Sequence, residues 1–350
     1  MPRDAYFPGA DFWRSSDVAG SPRHVETSGI IQPPIHARAV LEVYEHAADE
    51  AEARAFVERL YPKLVALHRY LAESRDPDGI GLAAIVHPWE SGLDNSPVWA
   101  AQLDALEIPP DGVPEYERRD VVNADPADRP TDLAYDRFVY LAAAYREVGY
   151  DDRTICERSP FVVVGPLFAA LHLWSSLALA KIAEIVGDDP APHRVGAAAI
   201  RRGMSEALWD EADGRFYTRN LSSDQLARKA GIISLMPVLD PELPRPQLAA
   251  IVADLRGPAF HPPESRDHYI VPSYDLERRL FDPRRYWRGP VWINTDWLIW
   301  RCLLQHAQAD LADEVARSML ASSRAPASMN TSTPSAAPAT GATGSPGRRR

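Results

Sequence analysis

Apolar residues along the chain recur mostly at the spacing of a helix. One helical face is marked by residues three and four apart, namely Phe56, Leu60, Leu64, Leu67 and Leu71. A second run begins at Asp132, the predicted N-cap, and further helical runs cover residues 166–186, 193–209, 223–238, 246–255, 291–306 and 309–320. The alternating pattern of strands is almost absent. The chain is therefore predicted to be all-α, with an α/α toroid built of helical hairpins as the leading architecture.

Residues 161–180 carry no formal charge, and a stretch of about twenty such residues is long enough to span a bilayer. The stretch also contains Gly165, Pro166, His172 and two serines. A buried inner helix of a helical barrel has the same composition. We therefore expect a core helix and no membrane span.

The composition changes sharply near residue 320. Residues 321–350 consist largely of Ala, Ser, Thr, Pro and Gly, and Met329 is the one large apolar residue among them. Such a segment cannot bury enough apolar surface to order itself. The predicted organisation is one domain over residues 1–320, followed by a disordered, low-complexity tail over 321–350.

Composition and charge exclude several classes of function. The net charge is -11 and no basic stripe is visible, so nucleic acid and anionic membrane are not expected partners. Cys156 and Cys302 stand far apart, and neither a disulfide framework nor a zinc ribbon fits them. No phosphate loop, His-Glu-x-x-His or Gly-x-Ser-x-Gly motif occurs, so no cofactor and no metal are expected. Because no secretion signal is recognisable at the start, a cytoplasmic location is predicted. The oligomeric state is not predicted, and a homo-oligomer is one possibility.

The segment 87–99, His-Pro-Trp-Glu-Ser-Gly-Leu-Asp-Asn-Ser-Pro-Val-Trp, combines two acids with two indoles. Glycoside cleavage needs a protonated carboxyl group to expel the leaving oxygen, and indoles that exclude water raise a carboxyl pKa toward the value required. Asp94 is accordingly the candidate acid, with Glu90 four residues before it. The alternative is structural: Asp94 caps the helix that follows, and Glu90 is solvated.

A second aromatic segment, 286–297, turns into a helix near Pro290. Trp287 and Trp292 are candidates to stack on pyranose rings, and Arg288 and Asn294 are candidates to bind hydroxyls or a carboxylate. Core packing is the alternative, and it is stronger for the tryptophans farther into the helix.

Together the two segments resemble the bacterial branch of glycoside hydrolase family 63, which includes glucosylglycerate and mannosylglycerate hydrolases. The resemblance extends from residue 1 to about residue 320 and also takes in the segments 31–36, 130–137, 208–217 and 272–274. It implies an (α/α)6 barrel, incomplete in this chain, with Asp94 as the acid of the Ser-Gly-x-Asp-Asn-Ser motif. The substrate contacts that it implies are Trp89, Gly92, Tyr286, Trp287 and Trp292, with Gln32, Tyr6 and either Arg129 or Arg137 for a carboxylate.

The resemblance also implies an activity. The substrate would be the small anionic glycoside 2-O-glucosylglycerate, with mannosylglycerate next, cleaved by an inverting mechanism. An inactive sugar-binding remnant and a trehalase- or glucoamylase-like α-glucosidase are the alternatives.

The family's general base is missing from its expected place. The family carries this Glu within Glu-Tyr-Phe-x-Pro, followed by Phe-Ser-Trp-Thr-Ala-Ala, whereas residues 327–334 here read Ala-Ser-Met-Asn-Thr-Ser-Thr-Pro. If the gene is read one nucleotide earlier, the codons of Met329 and Asn330 yield a Glu codon at position 330. With permitted third bases in the neighbouring codons, the same reading restores both motifs in order. We therefore hypothesise a frameshift between about Leu320 and Ala327. Because a Trp-x-Trp-Asp motif that the family carries upstream is also missing, low activity and marginal stability are expected.

Overall fold

The computed structural model describes residues 29–118, 120–122, 124–261, 269–324 and 331–332. The helices in these ranges are α1 (His36–Glu45), α2 (Glu50–Ser74), α3 (Ala100–Asp104), α4 (Asp132–Glu147), α5 (Asp152–Arg158), α6 (Pro166–Val186), α7 (Ala191–Gly203), α8 (Arg245–Arg256), α9 (Ile293–Gln305) and α10 (Ala309–Arg324). The strands are β1 (Val163–Val164), β2 (Trp209–Asp210), β3 (Arg215–Phe216), β4 (Thr218–Asn220), β5 (Gln225–Ala227), β6 (Val291–Trp292) and β7 (Thr331–Ser332). Helices thus dominate, as the apolar pattern predicts.

Helix α6 is the inner element of this arrangement. It begins at Pro166, where a missing N–H costs no hydrogen bond, and it ends at Gly187, which adopts the left-handed conformation with φ of 82°. The helix packs against α1, α2 and α7 and against a 3-10 segment, Ile232–Leu239. By length and composition alone it could cross a membrane, yet 72% of its most apolar window is buried within the protein. The core-helix prediction for this segment agrees with that burial.

Side-chain caps fix where two other helices begin. Asp49 accepts a 2.8 Å hydrogen bond from the Glu52 N–H at the start of α2. Thr131 accepts from the Ala134 N–H at 3.3 Å at the start of α4. The cap of α4 is therefore Thr131, and the prediction of Asp132 as the N-cap is wrong by one residue, because Asp132 already lies in the first turn.

The predicted helix over residues 223–238 is also wrong. Strand β5 occupies its first part, where Arg219 pairs with Leu226 in an antiparallel register, and β1 flanks β4 on the other side. The 3-10 segment Ile232–Leu239 occupies the remainder and is buried throughout. Gly231 and Pro237 interrupt the helical pattern here, and tertiary burial, rather than helix propensity, accounts for the run of apolar residues.

Short antiparallel bridges gather the loops at one end of the helices. Ile85 pairs with Val163 just before α6, Gly231 pairs with Tyr274, and Pro272 pairs with Val291 just before α9. Trp99 reaches the same end, since a Cβ on Gly165 would lie 3.7 Å from its ring. The segments 87–99 and 286–292 therefore belong to one loop-bearing end of the fold. Tyr6 and most of the predicted tail lie outside the described residues.

Candidate active site

A left-handed turn presents Asp94. The 3-10 segment Pro88–Ser91 ends at Gly92, whose φ of 74° is a conformation that glycine adopts without a steric penalty. The Ser91 hydroxyl accepts a 2.9 Å hydrogen bond from the Leu93 N–H and so holds the chain just beyond the turn. Gly92 therefore has a backbone role here, and it reverses the chain immediately before the candidate acid.

Glu90 anchors this turn and is not available as a second acid. Its side chain is fully buried, and its carboxylate receives both terminal nitrogens of Arg75, at 2.8 and 3.0 Å. The same carboxylate also accepts the backbone N–H groups of Ile31, at 3.2 Å, and Val86, at 2.8 Å. Both oxygens of Glu90 are hydrogen-bonded, so this side chain fixes the backbone around it. The alternative in which Glu90 is solvated is therefore wrong.

Trp89 and Gln32 belong to the packing of the same turn. Trp89 is 8% exposed, and its ring lies 4.6 Å from the His87 ring and 5.7 Å from the Tyr135 ring, centroid to centroid. The side-chain amide of Gln32 donates a 2.7 Å hydrogen bond to the Trp89 carbonyl. These two predicted substrate contacts therefore lie together in the turn that leads to Asp94, and most of the Trp89 surface is already covered by protein.

The second aromatic segment is joined directly to the first. The Asn95 side chain accepts a 2.9 Å hydrogen bond from the Trp287 N–H. The Trp287 ring stacks on the Trp292 ring, with centroids 3.9 Å apart and planes at 17°. Trp287 is only 5% exposed and Trp292 is half-buried. The two indoles thus cover each other on one face, and Trp292 keeps more free surface for a sugar ring.

Tyr286 links the aromatic stack to a cation. Its φ of 37° is a strained conformation for a tyrosine, and its carbonyl accepts a 3.1 Å hydrogen bond from the Trp292 indole N–H. The Arg129 guanidinium lies 4.1 Å from the centre of the Tyr286 ring, within the range of a cation–π interaction. Strained tyrosines of this kind persist where surrounding contacts fix them, and both of these contacts belong to the candidate site.

The two predicted arginines occupy different places. Arg129 faces Tyr286 and interacts electrostatically with Asp94. Arg137 instead pairs at 2.6 Å with Asp104, whose side chain is 66% exposed. Of the two arginines, Arg129 therefore interacts with the candidate acid, whereas Arg137 forms an ion pair with a carboxylate at the surface.

Asp94 has the electrostatic setting of a proton donor. Burial disfavours its charged form and raises the pKa of the carboxyl to about 6, although Arg129 and backbone N–H groups oppose the rise. The carboxyl is therefore largely protonated in mildly acidic solution, where an ordinary aspartate is ionised. A protonated carboxyl beside aromatic walls is the arrangement that general acid catalysis of glycoside cleavage requires.

Several residues of the site were not singled out from the sequence. Arg75, the partner of Glu90, stands fifteen residues earlier in the chain, at the end of α2. Asp120 pairs with both Arg118 and Arg129, and Tyr135 packs on Trp89. The crowding of charges between residues 111 and 130 was the available signal. In the part of the chain that the structure describes, no three His, Cys, Asp or Glu side chains form a group able to hold a metal ion.

Strand β7 reaches the edge of this site. Thr331 pairs with Trp292 and Ser332 pairs with Val291, in antiparallel register. Strand β7 therefore lies beside β6, whose Trp292 belongs to the aromatic stack. Thr331 directly follows position 330, where the resemblance to family 63 leads us to expect a general base.

Comparisons with known proteins identify the family. Residues 2–343 match the family model of the mannosylglycerate hydrolase MGH1-like glycoside hydrolase domain. The chain belongs to this family. It is 37% identical over 311 residues to the mannosylglycerate hydrolase of Rubrobacter radiotolerans, covering 89% of this chain and 70% of that protein. It is 35% identical over 322 residues to the glucosylglycerate hydrolase of Mycolicibacterium hassiacum, covering 88% and 71%.

Solved structures agree on both fold and family. The GH63 mannosylglycerate hydrolase from Thermus thermophilus in complex with Tris superimposes with a TM-score of 0.85 at 33% identity, over 95% of this chain and 77% of that one. The neutral trehalase Nth1 of Saccharomyces cerevisiae, with a TM-score of 0.52 at 14% identity over 83% of this chain and 55% of that one, shares the fold alone. The chain is therefore a glycosidase of family 63 with the α/α toroid-type fold that its sequence predicts.

Proposed function

We propose that this glycosidase binds a 2-O-glycosylglycerate, with glucose or mannose as the sugar, and that Asp94 protonates the glycosidic oxygen. Relatives named as mannosylglycerate and glucosylglycerate hydrolases support this substrate class. A related crystal structure of the Thermus thermophilus enzyme is described as a complex with Tris and D-glycerate. The products would be the free hexose and glycerate.

The observation that carries the proposal is the position of Arg129, which lies 4.1 Å from the centre of the Tyr286 ring and interacts electrostatically with Asp94. In a 2-O-glycosylglycerate, the glycosidic oxygen and the carboxylate carbon are bonded to the same carbon atom. The groups that recognise them must therefore be neighbours. A carboxyl with a pKa of about 6 supplies the proton, and an arginine beside it supplies the fork of donors that a carboxylate prefers.

We propose an inverting reaction, in which a second carboxylate would activate water on the opposite face of the sugar. The family pattern has that Glu at position 330, where this chain carries Asn330. The pairing of Thr331, the next residue in the chain, with Trp292 supports this assignment, because Trp292 belongs to the aromatic stack. An amide cannot accept the proton of water, so turnover by this chain is expected to be low.

A second candidate function follows from the same substitution. With Asn330 in place of the base and the aromatic stack retained, the chain would bind the glycoside without cleaving it at a useful rate. Binding measured separately from turnover distinguishes this function from hydrolysis.

The test compares the chain with its Asn330→Glu variant on glucosylglycerate and mannosylglycerate. We expect slow release of glycerate by the chain and an increase of about 10²–10⁴-fold in the variant, the usual contribution of a positioned base. Asn330→Gln is the matched control and stays slow. A version with both missing motifs restored is assayed beside them.

Two outcomes would count against the proposal. Equal, rapid turnover by the chain and by the Asn330→Glu variant would show that another group activates water. Preferential cleavage of trehalose or maltose, which lack a carboxylate, would reject the glycerate assignment and favour an α-glucosidase of the trehalase type.

A further inference from the structure

A buried carboxylate lies behind the arginine of the candidate site. Oδ2 of Asp120 lies 3.3 Å from Nε of Arg129 and 2.6 Å from Nη2 of Arg118, and the Asp120 side chain is only 6% exposed. Arg118 also donates from Nε to Oδ1 of Asp120 at 3.1 Å, so this pair has two parallel hydrogen bonds. Asp120 is thus held firmly by Arg118 and reaches Arg129 along a single hydrogen bond.

We propose that Asp120 is a positioning residue that fixes Arg129 to receive the carboxylate of the substrate, and so sets the preference of the site for an anionic glycoside. The inference rests on the proposed function, since it concerns the group that Arg129 binds.

Two contacts determine how the Arg129 guanidinium is oriented. The Tyr286 ring, 4.1 Å away, restricts the plane of the group, and the hydrogen bond from Nε to Asp120 restricts rotation within that plane. Arg129 also hydrogen-bonds the Tyr286 side chain. Because the bond to Asp120 uses Nε, a carboxylate ligand would be received by the end of the guanidinium formed by Nη1 and Nη2. Two parallel hydrogen bonds from this end are the strong, directional form of carboxylate recognition.

Arg118 accounts for the presence of Asp120, a negatively charged residue, next to an arginine that would bind an anion. Asp120 by itself would cancel the positive charge of Arg129 and remove the attraction for an anionic ligand. Arg118 balances Asp120, and its guanidinium lies 4.5 Å from the Tyr135 ring. Arg118, Asp120 and Arg129 together carry one net positive charge, and the other partner of Arg118, Asp132, is 88% exposed, so solvent screens its negative charge. The site therefore combines a fixed arginine with a favourable potential for a carboxylate.

The test uses the chain itself, with D-glycerate and its neutral amide as probes in isothermal titration calorimetry. Asp120→Asn removes the charge with little change of shape. We expect D-glycerate to bind about tenfold or more weakly, in keeping with a lost charge-assisted hydrogen bond, while the amide changes little. Simple electrostatics predicts the opposite sign, because removing a negative charge tightens the binding of an anion.

Three further measurements separate positioning from a loss of fold. Asp132→Asn is the matched control, since Asp132 also pairs with Arg118, changes the charge equally, and is 88% exposed. We expect it to bind D-glycerate within about twofold of the original chain. In NMR spectra, the Nε–Hε signal of Arg129, assigned through Arg129→Lys, is expected to move in Asp120→Asn and to stay in Asp132→Asn. Asp120→Glu, which keeps the charge, restores part of the affinity.

The outcomes distinguish this inference from the proposed function. If the original chain does not bind D-glycerate, the glycerate assignment and the inference fall together. If it binds, and Asp120→Asn binds equally or more tightly with the Arg129 signal unmoved, the inference alone is wrong. Should Asp120→Asn fail to fold, Asp120→Ser is measured in its place under the same criteria.

Discussion

Asn95 accepts a 2.9 Å hydrogen bond from the backbone N–H of Trp287, which lies 192 residues farther along the chain. Asn95 directly follows the candidate acid, and Trp287 begins the aromatic stack. The side-chain amide of Asn95, which is only 3% exposed, therefore joins the candidate acid to the aromatic stack.

Replacing Asn95 with Ala removes this acceptor and leaves a buried N–H without a partner. We expect the free energy of unfolding to fall by about 1–3 kcal/mol and the tryptophan fluorescence to change, because Trp287 stacks on Trp292. Urea titration followed by fluorescence measures both. Asn294→Ala is the control, since Asn294 is exposed, and it is expected to stay within about 0.5 kcal/mol. Identical results for both variants would contradict the structural role of Asn95.

Removing the Glu90 side chain is expected to lower the stability of the fold, because this residue is not a catalytic group. In Glu90→Ala, the fully buried Arg75 loses its carboxylate partner, and breaking a buried pair in this way typically costs about 3–5 kcal/mol. Thermal and urea unfolding measure the loss. The exposed Glu73, at the end of the same helix as Arg75, provides the control Glu73→Ala. A Glu90→Ala protein of unchanged stability that no longer turns over substrate would instead make Glu90 a catalytic group.

Glycerate affinity is expected to depend on the ionisation of Asp94. Below a pH of about 6, the raised pKa keeps this carboxyl protonated, and above it the new negative charge repels an anionic ligand. We therefore expect the Kd for D-glycerate to rise as the pH increases through 6. Calorimetry between pH 5 and 8 measures this change, and Asp94→Asn is expected to show no such rise.

The same raised pKa determines the sign of a stability effect. An Asp94 carboxyl that ionises near 3.8 when unfolded and near 6 when folded favours the folded state most below pH 3.8, and this contribution is lost as the pH rises to about 6. Asp94→Asn is therefore expected to be more stable than the original chain at pH 7, by on the order of 1–3 kcal/mol. A less stable variant would mean that Asp94 is ionised and well paired in the folded chain.

Three histidines, of which His87 and His172 are buried and His68 is partly buried, are expected to make the fold sensitive to acid. Burial lowers the pKa of His68 to about 3 and the pKa values of His87 and His172 to about 4, with neighbouring histidines adding to the effect at His68. As the pH falls below 6.5, the unfolded chain binds protons that the folded chain refuses. Each histidine then costs on the order of 2 kcal/mol between pH 6.5 and 5.

Urea unfolding at pH 5 and pH 7 tests this dependence. His172→Phe removes one of the three groups, so its stability is expected to fall less between the two pH values. His46, whose side chain is 73% exposed, gives the control His46→Gln, for which the original slope is expected. A slope in His172→Phe as steep as that of the original chain would contradict the assignment.

The helices could largely be predicted because their signals are local. Helix α6 begins and ends where its apolar pattern, Pro166 and Gly187 indicate, and α9 differs from its predicted span by one or two residues at each end. The helix prediction for residues 223–238 was wrong for two reasons. A run of buried apolar residues fits a 3-10 segment as well as a helix. Strand β5 is defined by its pairing with β4. Strand pairing is a property of two distant segments, which one local pattern does not contain.

Part of the candidate site could also be predicted from local sequence, and part depends on contacts between distant segments. Asp94, Gly92 and the aromatic residues stand in compact motifs, so the sequence alone singles them out as candidates. The choice between Arg129 and Arg137 depends on the path of a charged loop, and the partner of Glu90 is set by how α2 packs. Three-dimensional pairing also changed the interpretation of Trp287, which covers Trp292 instead of standing free.

Helix α6 also has a consequence for the biogenesis of this protein. While the chain is being synthesised, a 21-residue apolar segment emerges before α7, one of the helices that later cover it. Such a segment attracts chaperones, other nascent chains and membrane-insertion machinery until its partners shield it. We therefore expect fast docking of α1 and α2 on α6 to reduce aggregation of the newly made protein.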